Sequence, residues 1–353
     1  MKLARLMIAG LLAAQPASAL AAPTPSEAGQ ALRIAADRIE ADYIDAAKAR
    51  SIASKLRAEA KNLQTRSKSD EALAEEVTKL LRTLSQDQHF GLRYSPQAMP
   101  ADIFSPKPES DVEAAALRTA RFNNFGILKV ERLPGNVGFI DLDAFTAPER
   151  MRKGLAAAME LLRHCDAMII DLRYNGGGHA RGAALAASYF LPEAPDQLLV
   201  RFETRNGKET EEIRTEGRLE APRFLDRPVY ILTGPATFSA AEMFAGALQR
   251  SGRAKVVGVK TRGGGNPSQR IRLTPHFGMM LPTTHDVLAI NRSAEITPDQ
   301  LSTAKDALAD ARRLAVTTLL ATRPGDLLAD DWKKALAELT IAEGSAALAA
   351  AKQ

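Results

Sequence analysis

The sequence is poor in cysteine, in the larger aromatic residues and in long apolar runs. Its 353 residues include one cysteine, one tryptophan and five tyrosines. The single cysteine, Cys165, excludes an internal disulfide, and its place before an apolar strand favours a buried hydrophobic side chain over a nucleophile. No set of cysteine, histidine and acidic residues has the spacing of a metal site, so we expect neither a metal nor a cofactor.

Charge and aromatic content argue against a nucleic-acid partner. The formal net charge is +5, and Lys2 and Arg5 of the N-terminal segment contribute to it. The arginines are scattered along the chain instead of clustered on one segment, and few aromatic side chains accompany them. We therefore expect no nucleic-acid binding.

The apolar run at the N-terminus is too short to cross a bilayer. It covers residues 6–14, follows two basic residues and precedes small residues at a cleavage spacing. This pattern predicts a signal peptide over residues 1–21, cut after Ala19 or Ala21, with no stable membrane insertion afterwards. The mature protein is expected to be secreted or periplasmic, with an uncleaved anchor as the alternative.

The order of the periodic segments predicts an α/β protein. Residues 22–95 carry three apolar stripes at helical spacing, which indicate an N-terminal helical bundle. Residues 96–124 are rich in proline and serine and read as a linker. Residues 125–300 alternate strands with helices, which predicts a sheet core, and residues 301–353 form C-terminal alanine-rich helices.

The most informative local feature is a serine at a strand-to-helix junction. Residues 231–238 read as a buried strand followed by a Gly-Pro turn, and Ser239 opens the next helix. At such a place the free N–H groups and the positive end of the helix dipole stabilise anionic charge, as an acyl-transfer intermediate requires. The structural alternative is a capping box, because Ser239 and Glu242 fit the pattern S-x-x-E.

A glycine loop follows the strand predicted over residues 167–173. Gly176, Gly177 and Gly178 permit positive φ angles and close backbone approach, so their N–H groups could contact a ligand oxygen. The glycine spacing differs from that of a dinucleotide-binding loop, which argues against such a cofactor. Asn175 could equally hold the turn through its own side chain.

His89 is one of five histidines and closes a predicted helix. A lone histidine at a helix end is usually structural, because the helix dipole favours it there. Its chemistry also suits a general base, since imidazole exchanges protons near neutral pH.

Six segments in a fixed order resemble the tail-specific (C-terminal processing) serine protease family. Within that family the chain is most similar to the branch with the repeats of interphotoreceptor retinoid-binding protein and the tricorn protease core. The matching segments are residues 87–90, 133–139, 171–178, 238–242, 261–267 and 297–299.

The resemblance implies both a fold and an activity. The fold is a crotonase-like or Clp-protease-like spiral of ββα units with the helical bundle at its edge. The activity is that of a serine-type endopeptidase acting on a peptide or protein, with Ser239 as the nucleophile. About 45 residues separate His89 from the predicted hairpin turn, too few for the PDZ domain of many relatives, so no PDZ domain is expected.

The sequence departs from the dyad branch of that family at the position of the lysine base. Gly264 occupies this position, and Lys260 lies in a predicted strand where we expect it to face solvent. The tricorn-like branch uses a histidine from the position of His89. This makes His89 the expected general base, with His179 as its rival.

The same resemblance supplies the remaining site residues. The N–H groups of Gly177 and Ala240 are the expected oxyanion hole. Glu295 and Asp87 are candidates for the acid that orients His89. Because the triad is incomplete, an alternative stays open in which an inactive family member binds an apolar ligand or peptide in the same cleft. An acyl-CoA enzyme is a more remote interpretation.

Overall fold

The computed structural model describes residues 25–100, 111–193, 197–264, 266–288 and 295–350. The predicted signal peptide lies outside these residues. In the part of the chain that is described, no helix is long and apolar enough to cross a membrane.

Helices and strands alternate along the chain after an all-helical start. The helices are α1 (Pro25–Asp42), α2 (Ala46–Arg66), α3 (Asp70–Ser85), α4 (Asp111–Phe122), α5 (Pro148–Leu161), α6 (Ala180–Ser188), α7 (Ala240–Arg250), α8 (Ala307–Thr322) and α9 (Ala329–Ala350). The strands are β1 (Gly91–Tyr94), β2 (Ile127–Leu133), β3 (Val137–Leu142), β4 (Ala167–Asp171), β5 (Leu198–Thr204), β6 (Glu209–Arg214), β7 (Val229–Thr233), β8 (Lys255–Gly258), β9 (Ser268–Arg272), β10 (Phe277–Pro282), β11 (Thr284–Asp286) and β12 (Gln300–Leu301).

The first three helices pack against a small antiparallel sheet with the strand order β1-β10-β9. Asp45 and Ser69 begin α2 and α3 by accepting hydrogen bonds from backbone N–H groups of the first turn. Ile39, Phe90 and Phe277 belong to one buried cluster that spans helices and sheet. This packing fixes the turn between α3 and β1, which carries His89.

The central sheet has the strand order β12-β8-β7-β4-β3-β2 and is parallel except for the β2–β3 hairpin. Every residue of β4 and β7 is buried, as expected for parallel strands covered on both faces. Met168 and Ile170 pack with α5, α6 and α7, whereas Ala167 and Ile169 pack with α8 and α9. A third sheet, with the order β11-β5-β6, packs against the α5–α7 side through β5.

The predicted mixed α/β architecture with an N-terminal helical unit is confirmed. Two boundaries need correction. Residues 111–122 of the predicted linker form α4, whose sequence is rich in strong helix formers. The C-terminal helices were predicted from residue 301, but residues 300–301 pair with β8 as strand β12, and the first of these helices begins at Ala307. The other domain boundaries and the absence of a PDZ domain stay predictions.

Candidate active site

Three loops lie side by side at the carboxyl edge of the central sheet. β4, β7 and β8 are adjacent and parallel, with β7 in the middle, so their following loops emerge at the same edge. We call residues 174–178 the first glycine loop, residues 234–239 the elbow, and residues 261–264 the second glycine loop. The elbow is therefore flanked by the two glycine loops.

Ser239 occupies a strained position at the end of the elbow. Its backbone has φ +55° and ψ −119°, a conformation that a residue with a side chain rarely adopts. Thr237 fixes the turn, because its hydroxyl accepts from the N–H of Gly234 at 2.9 Å and donates to the carbonyl of Leu172 at 2.7 Å. Such a sharp strand-to-helix turn is the geometry that presents a nucleophilic serine in hydrolases.

Glu242 joins the elbow to the second glycine loop. Its carboxylate accepts from the N–H of Ser239 at 2.7 Å, the hydroxyl of Thr261 at 2.6 Å and the N–H of Gly263 at 2.6 Å. The Ser239 contact is the Glu242 half of the predicted capping box. Burial raises the pKa of Glu242 to about 6, and the three hydrogen bonds oppose this rise.

From the sequence, the S-x-x-E pattern predicted only a helix-capping role for Glu242. Its side chain is 1% exposed, between the buried Ala241 and Phe244 on the core side of α7. An acid on an otherwise apolar helix face is the signal that could have identified it.

The first glycine loop contacts the elbow directly. Gly177 has φ +96°, and a Cβ atom at this residue would lie 2.6 Å from the carbonyl oxygen of Phe238 and 2.9 Å from the Cβ of Ser239. The carbonyl of Asn175 also accepts from the N–H of Phe238 at 3.1 Å. Glycine is therefore required at residue 177 for the two loops to approach this closely.

Asn175 holds the first glycine loop in place. Its amide donates to the carbonyl of Leu142 at 2.8 Å, and its Oδ1 accepts from the N–H of Gly177 at 2.8 Å. The side-chain turn that the sequence left open as an alternative is thus present. The oxyanion role of Gly177 stays a prediction, and it requires this N–H to leave Asn175 Oδ1, to which it is bonded in this conformation.

The N–H groups of Ala240 and Gly178, on either side of the elbow, are unpaired among the described residues. Ala240 is the first residue of α7, where backbone N–H groups lack intrahelical acceptors. Gly178 forms a bridge with Phe145 in which the bonds run through the neighbouring residues, Gly177 and His179, and its own N–H is left over. Both residues line the cleft described below.

His89 lies beside the residue that precedes Ser239. Its ring packs against the ring of Phe238 with 4.5 Å between the centroids. A Cβ atom on Gly264 would lie 2.8 Å from Cε1 of His89 and would also collide with the Phe238 ring. The space beside Gly264, the residue at the lysine position of the dyad branch, is thus filled by the rings of His89 and Phe238.

Asp87 is the acid that the structure places against His89. Asp87 Oδ1 accepts from the backbone N–H of His89 at 2.9 Å and lies 3.7 Å from its Nδ1. Asn266 Nδ2 donates to the other oxygen of Asp87 at 2.8 Å. Nδ1 of His89 is buried and has no hydrogen-bond partner among the described residues, so Nε2 is the nitrogen left for the cleft.

Glu295, Lys260 and His179 were the remaining candidates for the acid or the base, and among the described residues neither Lys260 nor His179 has a hydrogen bond or ion pair with Ser239 or His89. Glu295 lines the cleft and forms an ion pair with Lys260 at 2.7 Å. The Lys260 side chain is 57% exposed, in agreement with the solvent-facing position expected for it. His179 precedes α6, is exposed and does not line the cleft.

A cleft of about 810 Å³ connects Ser239 and His89. Its apolar wall is built from β5, α7 and the segment before β12, and it includes Val200, Phe202, Met243 and Ile296. No hydrogen bond among the described residues joins the Ser239 hydroxyl to His89. The two side chains therefore share one cleft without being in contact for proton transfer in this conformation.

The part of the chain that holds the elbow and both glycine loops is similar to known peptidases. Residues 136–302 match the family model described as Peptidase family S41. The carboxyl-terminal-processing protease of Synechocystis sp. is 34% identical over 178 residues, which are 48% of this chain and 38% of that protein. The carboxy-terminal processing protease CtpB of Bacillus subtilis is 28% identical over 138 residues, or 38% of this chain and 27% of that protein. The chain thus matches less than two fifths of the length of these two relatives.

Solved structures support the fold. A Parabacteroides merdae protein superposes with a TM-score of 0.58 at 18% identity, over 86% of this chain and 99% of that chain. Mature CPAF superposes with a TM-score of 0.55 at 14% identity, also over 86% of this chain and 99% of that chain. The family resemblance of the sequence motifs is confirmed, because residues 136–302, which hold the elbow and both glycine loops, match the model of peptidase family S41.

Proposed function

We propose that the protein is a serine-type endopeptidase with Ser239 as the nucleophile and His89 as the general base. The observation that carries this proposal is the contact of the His89 imidazole with Phe238 and with Gly264, the residue at the position of the dyad lysine in the sequence. The strained backbone of Ser239 in a cleft large enough for a peptide supports it further.

In the proposed reaction, Nε2 of His89 removes the proton of the Ser239 hydroxyl as the oxygen attacks the peptide carbonyl. The carbonyl π bond opens to an oxyanion, and the C–N bond then breaks as His89 returns the proton to the leaving amine. Water attacks the acyl-enzyme by the same route and releases Ser239. Asp87 orients the ring through Nδ1, which needs a movement of less than about 1 Å from the present 3.7 Å to form a hydrogen bond. Glu295 is the second candidate for this role.

Stabilisation of the oxyanion is assigned to backbone N–H groups beside Ser239. Ala240 supplies one donor from the first turn of α7, where the helix dipole adds to its effect. The second donor comes from the first glycine loop. Gly177 can supply it once its bond to Asn175 opens, and Gly178 can supply it as the loop stands.

The substrate class follows from the cleft and from the relatives. A peptide or protein chain fits a cleft with an apolar wall and a serine in its lining. The relatives' names describe carboxyl-terminal processing, and we propose the same type of cleavage here. Action outside the cytoplasm, after removal of residues 1–21, is part of this proposal and rests on the sequence of that segment.

One alternative has its own support. The Ser239 hydroxyl does not contact His89, and the N–H of Gly177 is bonded to Asn175. Both observations suit an inactive family member that binds an apolar ligand or peptide in the cleft. Catalytic hydrogen bonds are often long before substrate binds, which is why we favour the peptidase.

A fluorophosphonate probe tests the two functions, because it reacts covalently with an activated serine only. Wild type should be labelled, whereas Ser239→Ala and His89→Ala should not be labelled above background. Ser251→Ala, at the opposite end of α7, is the matched control and should react as wild type does. Absence of labelling in folded wild-type protein would favour the binding function, and labelling of Ser239→Ala would remove Ser239 from the mechanism.

A further inference from the structure

Glu242 is a buried ionisable group that the proposed reaction does not yet use. Its two carboxylate oxygens receive three donors from three different residues, Ser239, Thr261 and Gly263. Two of these donors are backbone N–H groups, which cannot reverse to accept. A carboxylate accepts at both oxygens, while a protonated carboxyl must donate at one of them. The arrangement of donors therefore fits the ionised form of Glu242.

The bond to Ser239 acts on the strained residue itself. The N–H of Ser239 donates to Glu242 Oε2 at 2.7 Å while the backbone of Ser239 has φ +55°. A short charge-assisted hydrogen bond offsets part of the cost of that conformation. Glu242 thereby holds the backbone that presents the Ser239 hydroxyl to the cleft.

The bonds to Thr261 and Gly263 extend this hold to the second glycine loop. The Thr261 hydroxyl also accepts from the N–H of Ile296 at 2.8 Å, so the cleft wall is tied into the same network. Gly264, the next residue of the loop, carries the face against which His89 packs. One carboxylate thus fixes both the nucleophile's backbone and the surface beneath the base.

The charge of Glu242 acts on His89 as well. The two groups attract each other electrostatically when His89 is protonated. The other charged groups near His89 include Asp87 on its own turn, Arg82 of α3, which donates to the carbonyl of Phe90, and Arg262 over the Phe238 ring. Glu295 lies in the lining of the same cleft. Arg262 opposes a positive charge on the imidazole, and Glu242 is the fully buried carboxylate that favours it, in surroundings where charge is weakly screened.

We infer that Glu242 is a positioning residue of this site, whose carboxylate holds the Ser239 backbone and whose charge stabilises the His89 imidazolium formed when Ser239 is deprotonated. The inference rests on the proposed function. It assigns to the Ser239–Glu242 pair a role in the reaction beyond that of a helix cap.

The experiment measures fluorophosphonate labelling of full-length protein as kinact and KI between pH 5 and pH 9. Glu242→Gln removes the charge and keeps the side-chain size. It should lower kinact about 100-fold and change KI by less than about threefold, because it alters activation of the serine and not access to it. Glu216→Gln, which removes a carboxylate paired with Arg152 outside the cleft, is the matched control and should change neither constant.

The pH profile separates this role from a purely structural one. Labelling of wild type should require both a neutral His89 and an ionised Glu242, so its rate should fall by more than one log unit per pH unit at low pH. Glu242→Gln removes one of these two requirements and should reduce the slope to one. Thr261→Val removes a hydrogen bond that lowers the pKa of Glu242, so its acid limb should move to higher pH. This second variant keeps the test decisive if Glu242→Gln does not fold.

The outcomes distinguish the inference from the proposed function. If wild type is not labelled, the peptidase proposal itself fails. If wild type is labelled and folded Glu242→Gln reacts as fast with the same acid limb, the role of Glu242 is wrong and the peptidase proposal stands. An acid limb that is unmoved in Thr261→Val would also overturn the role of Glu242.

Discussion

The two glycine loops that flank the elbow differ in the side chain that fixes each of them. Asn175 fixes the first loop with a neutral amide, and Glu242 fixes the second with a carboxylate. The first loop approaches the backbone of Phe238 and Ser239 at Gly177, while the second approaches the ring of His89 at Gly264. The backbone on one side of Ser239 is therefore held by the close approach of Gly177, and on the other side by the space that Gly264 leaves for a ring and by the charge of Glu242.

Removal of the Ser239 hydroxyl should have the largest effect on peptidase activity, because this oxygen is the proposed nucleophile and both loops position the residue that carries it. We expect Ser239→Ala to lower peptidase kcat by at least about 10⁴-fold while the thermal unfolding temperature stays near that of wild type. Ser251→Ala controls for loss of a serine on the same helix. Comparable hydrolysis of a casein substrate by purified Ser239→Ala would show that the elbow is not the catalytic site.

A side chain at Gly177 should break the first loop's close approach. The added Cβ of Gly177→Ala would crowd the Phe238 carbonyl and Ser239 Cβ at a positive φ, so the loop and elbow must separate. Loss of one oxyanion donor's alignment predicts a fall in kcat of about 10²–10³-fold. Gly176→Ala is the matched control, because a Cβ there meets nothing within 4 Å. Equal rates for the two variants would contradict this account of the loop.

A side chain at Gly264 tests the second loop in the same way. In Gly264→Ala the new Cβ would collide with the Phe238 ring and lie 2.8 Å from His89 Cε1, but both are side chains that can move aside. We therefore expect a smaller loss, about tenfold in kcat, from displacement of the base. Gly217→Ala, with no atom within 4 Å of the new Cβ, should behave as wild type. A loss in Gly264→Ala as large as that in Gly177→Ala would show that the loops do not differ as described.

The sequence predicted most of what is local about this site. Ser239 and Gly177 could be found because each follows a continuous apolar run, which formed β7 and β4 as expected. The placement of β7 between β4 and β8 depends on pairing between distant segments, so periodicity could not reveal it.

The rest of the site depended on contacts between elements far apart in sequence. His89 reaches Phe238 only through the packing of α3 and β1 against β10, which brings residues about 150 positions apart together. The bond from Gly177 to Asn175 was an open alternative, and a residue pattern alone cannot decide whether an N–H faces its own loop or a ligand. The hydrogen bonds that Glu242 makes outside α7 required the order of the strands.

The smallest effect we expect is on the free energy of unfolding. It should depend on pH through Glu242, the charged side chain beside the elbow, and not through the neutral Asn175. The pKa of Glu242 is about 6 in the folded protein against 4.5 for a free side chain, so the folded state binds its proton more tightly. Stability should therefore fall as pH rises from about 4.5 to 6, by about 2 kcal/mol, and stay level above that. Glu242→Gln cannot ionise and should lack this part of the pH dependence, which urea unfolding of both proteins at pH 4.5 and pH 7 would measure. Glu216→Gln should keep it, since Glu216 lies outside the network. If the difference in free energy of unfolding between wild type and Glu242→Gln is the same at both pH values, Glu242 is not a buried acid with a raised pKa. The second glycine loop would then not be held by a carboxylate of the kind described.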